Sequence, residues 1–160
     1  MQFLNTWKDP ASERLVYFSA QVIEVFERYI QGENDAEAGG ILLGHVRGIH
    51  LEVLEATVPT RKDRRLKYFF ERLVEGHKGI AERRWRESNG LVRYLGEWHT
   101  HPEDHPTPSG LDISEWQKLA AARRDGRPML AVIVGRRDLR VEYSSSNGAR
   151  LRLYHSSSGQ

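Results

Sequence analysis

Gly96-Glu-Trp-His-Thr-His-Pro-Glu-Asp-His-Pro-Thr-Pro-Ser-Gly-Leu-Asp112 is the stretch of this 160-residue chain on which the fold turns. It begins at the end of an alternating run, Leu91 to Thr100, that reads as a strand. Three prolines between Pro102 and Pro108 forbid a regular element there. A helix follows from about Ser109 to Arg124. His99 and His101 are two apart, so alternation puts both imidazoles on one face with Cα atoms roughly 6.5–7 Å apart. Two imidazoles at that spacing can converge on one ion, and imidazole suits zinc. Ser109 and Asp112 are three apart and share one side of the first helical turn. If the stiff loop folds that turn over the strand end, Asp112 completes a His, His, Asp set with an open fourth position, as in a catalytic rather than a structural site.

Upstream, Arg14 to Phe18 reads as a short strand, and Ser19 caps a helix through about Gln31 whose apolar residues Val22, Ile23, Phe26, Tyr29 and Ile30 recur at helical spacing. Gly32 stops it. Gly39 to Val46 and His50 to Val58 form a hairpin across Arg47-Gly48-Ile49. Thr60 to Lys67 is polar and basic and reads as a loop. A second helix runs from about Arg72 to Ser88, with Val74, Ile80, Ala81 and Trp85 on one side. Downstream, Leu130 to Arg136, Leu139 to Ser145 and Arg150 to His155 read as strands joined by turns at Arg137-Asp138 and Asn147-Gly148. Helices interleave with strands, several of them hairpin-linked. The expected class is therefore α/β, a single domain over residues 1–155 with a mixed β-sheet flanked by helices, then a flexible tail over 156–160.

Composition narrows the chemistry. The chain has no cysteine, which excludes disulfides, thiol nucleophiles and every cysteine-ligated metal site. Any metal must be held by His, Asp or Glu. No stretch approaches the about 20 apolar residues of a membrane helix, and residues 1–10 have no signal-peptide core, so the expected location is the cytoplasm, away from membranes. Net charge is +2, too small to argue for nucleic acid by itself. Two patches are locally basic. Arg61 to Arg72 holds six Lys/Arg against Asp63 and Glu71, and Arg123 to Arg140 holds six Arg against Asp125 and Asp138. Such patches are usually solvated faces, and a nucleic-acid role ranks low.

His99-Thr-His101, seven residues, Ser109, two residues, Asp112 resembles the JAMM signature, His-x-His-x7-Ser-x2-Asp, of the JAB/MPN-plus zinc isopeptidases and deubiquitinases. The family also places a catalytic Glu upstream, before a glycine-containing apolar strand, and Glu37-Ala-Gly-Gly-Ile-Leu-Leu-Gly44 resembles that element. The resemblance implies the MPN fold, which is cytidine-deaminase-like, and one Zn2+ per chain held by His99, His101 and Asp112. The wording Gly-Glu-Trp-His-Thr-His-Pro is most similar to bacterial JAB-type peptidases encoded beside ubiquitin-like conjugation enzymes, some of which accompany anti-phage signalling systems of the CBASS kind.

What the resemblance implies can be argued residue by residue. Amide hydrolysis needs a strong nucleophile at neutral pH, which zinc supplies by acidifying water toward a pKa of ~7. A carboxylate must carry the proton to the leaving amine. The family pattern assigns this to Glu37. Strand alternation alone leaves Glu97 eligible as base or as a partner to a ligand, because it shares a face with His99 and His101. Ser109 would donate to the developing oxyanion or position the water; its plainer role is a helix N-cap. His105 is eligible as an extra ligand, and otherwise lines the cleft or faces solvent. His45, His50, His77 and His155 read as structural or surface histidines. Trp98 and Thr100 point away from the ligands, into the core. Glu103, Asp104 and the Arg61 to Lys67 loop are expected to face substrate.

The implied activity is cleavage after the C-terminal glycine of a ubiquitin-like protein or of its conjugates. The extended tail would lie beside the zinc, most simply by strand addition to a sheet edge, and the cognate conjugation enzymes are further expected partners. Two readings compete: processing of a ubiquitin-like or sulfur-carrier precursor, and a catalytically silent MPN scaffold. Silent scaffolds commonly lack part of the zinc set, which this chain retains in full.

Overall fold

The computed structural model describes residues 3–60, 64–66, 69–71 and 74–155, and the side chains of these outside 64–76. Its elements are β1 Thr6–Lys8, β2 Leu15–Phe18, α1 Ala20–Arg28, β3 Gly39–Arg47, β4 His50–Ala56, β5 Arg64–Leu66, β6 Phe69–Glu71, α2 Val74–Glu87, β7 Arg93–Thr100, α3 Gly110–Ala121, β8 Met129–Val134, β9 Leu139–Ser144 and β10 Arg150–His155. Strand and helix alternate as expected for an α/β protein. The expected sheet flanked by helices is instead a closed ring in the order β1-β10-β9-β8-β7-β3-β4-β2. Pairing within it is mixed, parallel between β2 and β4 and between β7 and β8 and antiparallel elsewhere. Closure comes from β1, whose Trp7 pairs with His155 of β10 and Val16 of β2. Three residues are too few to show a period, so sequence reasoning passed over it.

Helix α1 begins where expected. The Ser19 hydroxyl accepts from the Val22 amide at 3.3 Å and donates to Leu54 O at 3.1 Å, satisfying one of the orphan donors of the first turn. Val22, Ile23, Val25 and Phe26 are buried in the main core with Trp98, Val53 and the inner face of β8. The helix stops at Arg28 rather than near Gln31, because Gln31 has another task. Its buried amide donates to Asp35 O (2.9 Å) and accepts from the Thr100 hydroxyl (3.0 Å).

Strand β8 (MLAVIV) is buried throughout. Leu130, Val132 and Val134 join the main core, while Met129, Ala131 and Ile133 pack against Trp116 and Ala120 of α3. A strand covered on both faces reads as a continuous apolar run. Beside it, Gly96 of β7 sits opposite Leu130, where a Cβ would collide with the Leu130 carbonyl oxygen.

The expected loop between Thr60 and Lys67 contains β5, which pairs with β6 in the register Arg64↔Glu71, Arg65↔Phe70 and Leu66↔Phe69. The rest of that basic stretch, the expected start of the second helix at Arg72, and the tail over 156–160 lie outside the described residues. Trp85, expected on the packed side of α2, is 55% exposed, and a Cβ at Gly90 would meet its ring at 3.4 Å. Asn89 and Gly90 turn the chain there with φ of 54° and 83°. Among the described residues no helix is long and apolar enough to cross a membrane.

Candidate active site

The end of β7 carries the two histidines. His99 pairs with Gly39 of β3 on one side and Ile133 of β8 on the other, and the His101 amide donates to Val134 O at 3.0 Å. Alternation brings the rings together as expected: their centroids are 4.8 Å apart and their Nε2 atoms 3.0 Å apart. Helix α3 lies over the same face because Trp116 packs beside the His99 ring at 6.3 Å. One turn earlier on α3 is Asp112. Its Oδ1 is 3.3 Å from His99 Nε2 and its Oδ2 3.2 Å from His101 Nε2. A capping box fixes the carboxylate: the Ser109 amide donates to Asp112 Oδ2 at 2.8 Å, and the Asp112 amide donates to Ser109 Oγ at 3.1 Å.

Glu37 arrives from the other strand. Thr100 buttons the segment before β3 to β7, since its hydroxyl accepts from the Ala38 amide (2.9 Å) and its own amide donates to Ala38 O (2.9 Å). Glu37, two residues before Gly39, therefore shares the face on which Gly39 meets His99. It is only 4% exposed, and a carboxylate oxygen lies within 4.8 Å of ring nitrogens of both His99 and His101.

The two carboxylates differ in charge state. Burial pushes Glu37 up to about 8, with the charge of His101 pulling it back and that of Asp112 adding to the rise. Burial would also raise Asp112, but hydrogen bonds from His101 and His99 and from the Ser109 amide outweigh it and hold Asp112 well below the usual carboxylate range. Burial lowers His101; its bonds to Asp112 and Glu103 outweigh that and raise it. Their surroundings thus push the two neighbouring carboxylates apart in proton affinity.

Glu103 was expected to face substrate. Its side chain is exposed, and its Oε1 is 2.9 Å from His101 Nδ1. With the proton on Nδ1 pointing at Glu103, Nε2 of His101 presents a lone pair toward His99 and Asp112. Strand alternation could have found it, since Glu103 follows His101 by two. Asp104 is occupied by Arg136 (3.3 Å) and Arg137 (3.7 Å). With Arg123 bound to Asp125 and Arg140 to Glu142, much of the Arg123 to Arg140 patch is paired within the chain. Glu97 stays half-buried on the strand face above His99, outside the converging set of Glu37, His99 and His101. His105 is 75% exposed and 3.7 Å from Asp138, away from the ligand set. His77 is fully buried and bonds Thr57 Oγ1 through Nδ1 at 2.7 Å. His45 and His50 bond Glu52 and the Leu15 amide, and His155 meets Trp7 edge-on. Trp98 and Thr100 are buried as expected.

Two imidazole nitrogens and an ionised carboxylate, 3.0 to 3.3 Å apart and 12–16% exposed, fit a small divalent cation. The donors are nitrogen and oxygen only, the set that imidazole-preferring metals take.

The closed α/β ring thus presents at one strand end a His, His, Asp cluster whose donors suit a metal ion. The chain belongs to the prokaryotic homologues of the JAB domain, whose family model matches residues 19–148. It is 52% identical over 149 residues to a CD-NTase/cGAS isopeptidase of Pseudomonas aeruginosa, covering 92% of this chain and 94% of that one. It is 38% identical over 125 residues to a protein of the same name from Escherichia coli, covering 78% of each. A probable metalloprotease, y4qB of Sinorhizobium fredii, is 23% identical over 126 residues, 76% of this chain and 77% of that one. Among solved structures, protein DSY2949 from Desulfitobacterium hafniense has the same fold, with a TM-score of 0.58 at 16% identity over 88% of this chain and 89% of that one. Family and relatives together support a hydrolase of peptide or isopeptide bonds that uses a metal.

Proposed function

We propose that the protein is a cytoplasmic zinc-dependent isopeptidase that releases a ubiquitin-like protein from a lysine of its conjugate by cutting after the C-terminal glycine. The names of its relatives suggest a CD-NTase of the cGAS type as the conjugated partner. The observation that carries the reading is a pair of carboxylates beside His99 and His101: Asp112, 3.2–3.3 Å from a nitrogen of each ring, and Glu37, buried and within 4.8 Å of a nitrogen of each. A structural metal site needs only the first.

In this reading His99, His101 and Asp112 hold the zinc, which when bound supplies Lewis-acid activation of water and of the scissile carbonyl. The Glu37 carboxylate would take a proton from the attacking water and pass it to the departing lysine nitrogen. Ser109 Oγ accepts from the Asp112 amide, so its own hydrogen is available to the oxyanion. Glu103 keeps His101 in the tautomer that offers Nε2 inward. Every ring strand has a neighbour on both sides. The β5–β6 ribbon, whose outer edges are open among the described residues, would offer the substrate tail an edge for strand addition.

The test is cleavage of a ubiquitin-like conjugate by purified protein before and after chelation, with zinc restored at the end. Loss and recovery of cleavage are expected. Undiminished cleavage after complete metal removal would overturn the mechanism.

A further inference from the structure

The barrel has two ends, and the active site occupies one. Helix α1 stoppers that end, with Phe26 against Phe18 (5.7 Å) and Trp98 (5.5 Å) and Tyr29 against Trp98 (5.9 Å). At the other end the ring opens into a pocket of about 280 Å³. Its apolar floor includes Leu51, Leu95 and Tyr143, all in the main core, and its rim carries Arg14, Arg123 and Arg127. We propose that this mouth is a binding site for a small organic anion, a phosphate monoester or a carboxylate carried on a flat apolar group.

Three guanidinium groups around one small mouth repel one another, and only Arg123 is held in a close ion pair among the described residues. Arg123 is anchored: it donates to Leu95 O (3.0 Å) and Tyr94 O (3.3 Å) and pairs with Asp125 (3.0 Å). Arg14 stacks over the Tyr143 ring, 5.3 Å from its centre. Arg127 is placed by its own backbone amide on Asp125 Oδ1 (3.0 Å), while its guanidinium makes no ion pair among the described residues. Two carboxylates face these three groups, Asp125 toward Arg123 and Arg127 and Asp9 toward Arg14, which leaves one guanidinium charge unbalanced. Positive charge is therefore in surplus. Burial pushes the Tyr143 hydroxyl up to about 12, with Arg14 and Arg127 acting against that rise and Asp9 adding to it.

Planar guanidinium forks match phosphate and carboxylate, and an aromatic, aliphatic floor takes a flat apolar body. Barrel mouths are a preferred place for such ligands, and the volume is at the small end of the usual pocket range. That size suits a small molecule rather than a folded partner. The site is independent of the proposed isopeptidase activity, which takes place at the other end of the ring.

The experiment titrates the protein with phenyl phosphate and, in a second arm, with 2-naphthoate, by calorimetry and by amide chemical shifts. Phenol and inorganic phosphate are the controls for the ring and the charge alone. One saturable site is expected for at least one arm, with shifts at Leu51, Leu95 and Tyr143, and the arm that saturates tells which acid the site takes. Arg14→Ala and Arg127→Ala should each weaken it about tenfold or more, while Arg152→Ala, which stacks on Tyr154 at 4.8 Å, leaves it unchanged. Failure of both arms to saturate, shifts confined to other residues, or equal weakening by Arg152→Ala would each overturn the proposal.

Discussion

Glu37 and Asp112 are the same functional group beside the same two imidazoles, and they differ only in what else surrounds them. Asp112 has two ring nitrogens and an amide to accept from; Glu37 has burial. A carboxyl whose folded pKa is raised from 4.5 to about 8 contributes stability that is complete below 4.5 and is lost as pH rises through 8. In chelated protein, Glu37→Gln should therefore match or trail the parent near pH 4.5 and overtake it by pH 9, by on the order of a few kcal/mol. Thermal melts across that range check it, and a pH-independent difference would contradict it. Glu103→Ala removes the partner of His101 Nδ1, and zinc affinity should fall about 10–100-fold in a competition titration, with Glu103→Gln recovering part of it. At this scale the sequence was informative where residues are near neighbours. The spacings of His99, His101, Ser109 and Asp112 are local, and the structure brings them together. Glu37 was preferred to Glu97 on the family pattern alone, because the Gly39↔His99 register that sets Glu37 beside the ligands pairs residues sixty apart, which alternation within one strand does not contain.

At the scale of elements, the loop between β7 and α3 is held by the turn between β8 and β9. Arg136 and Arg137 amides donate to Glu103 O (2.7 Å) and Asp104 O (3.1 Å). Gly135 makes room, since a Cβ there would collide with Pro106 Cδ and the Glu103 carbonyl. Gly135→Ala is expected to destabilise the fold by about 1–3 kcal/mol and to weaken zinc binding by displacing Glu103. Denaturant melts and a zinc titration on the same sample read both effects. Ser109→Ala removes the α3 cap at a cost of about 1 kcal/mol. If the hydroxyl also serves the oxyanion, kcat falls about 10²–10³-fold with KM little changed; a fall of only a few-fold would leave it the cap alone. Helices with clear periods and caps were legible beforehand. The end of α1 was not, because Gln31 and Thr100 meet only in the folded chain.

At the scale of the whole molecule, closure of the ring by the three residues of β1 sets what each end can do. One end is filled by α1 and carries the His, His, Asp cluster on its outer face; the other is open and cationic. The absence of cysteine fits the proposed mechanism, in which water activated at a metal would take the place of a thiol nucleophile. The central claim is that Glu37 moves protons at a site whose metal is held by others. The most direct test measures zinc content and conjugate cleavage together in the parent protein and in Glu37→Gln. Both should carry about one zinc per chain, with the variant at least a hundredfold slower. A variant that retains its zinc and cleaves at the parental rate would contradict the account.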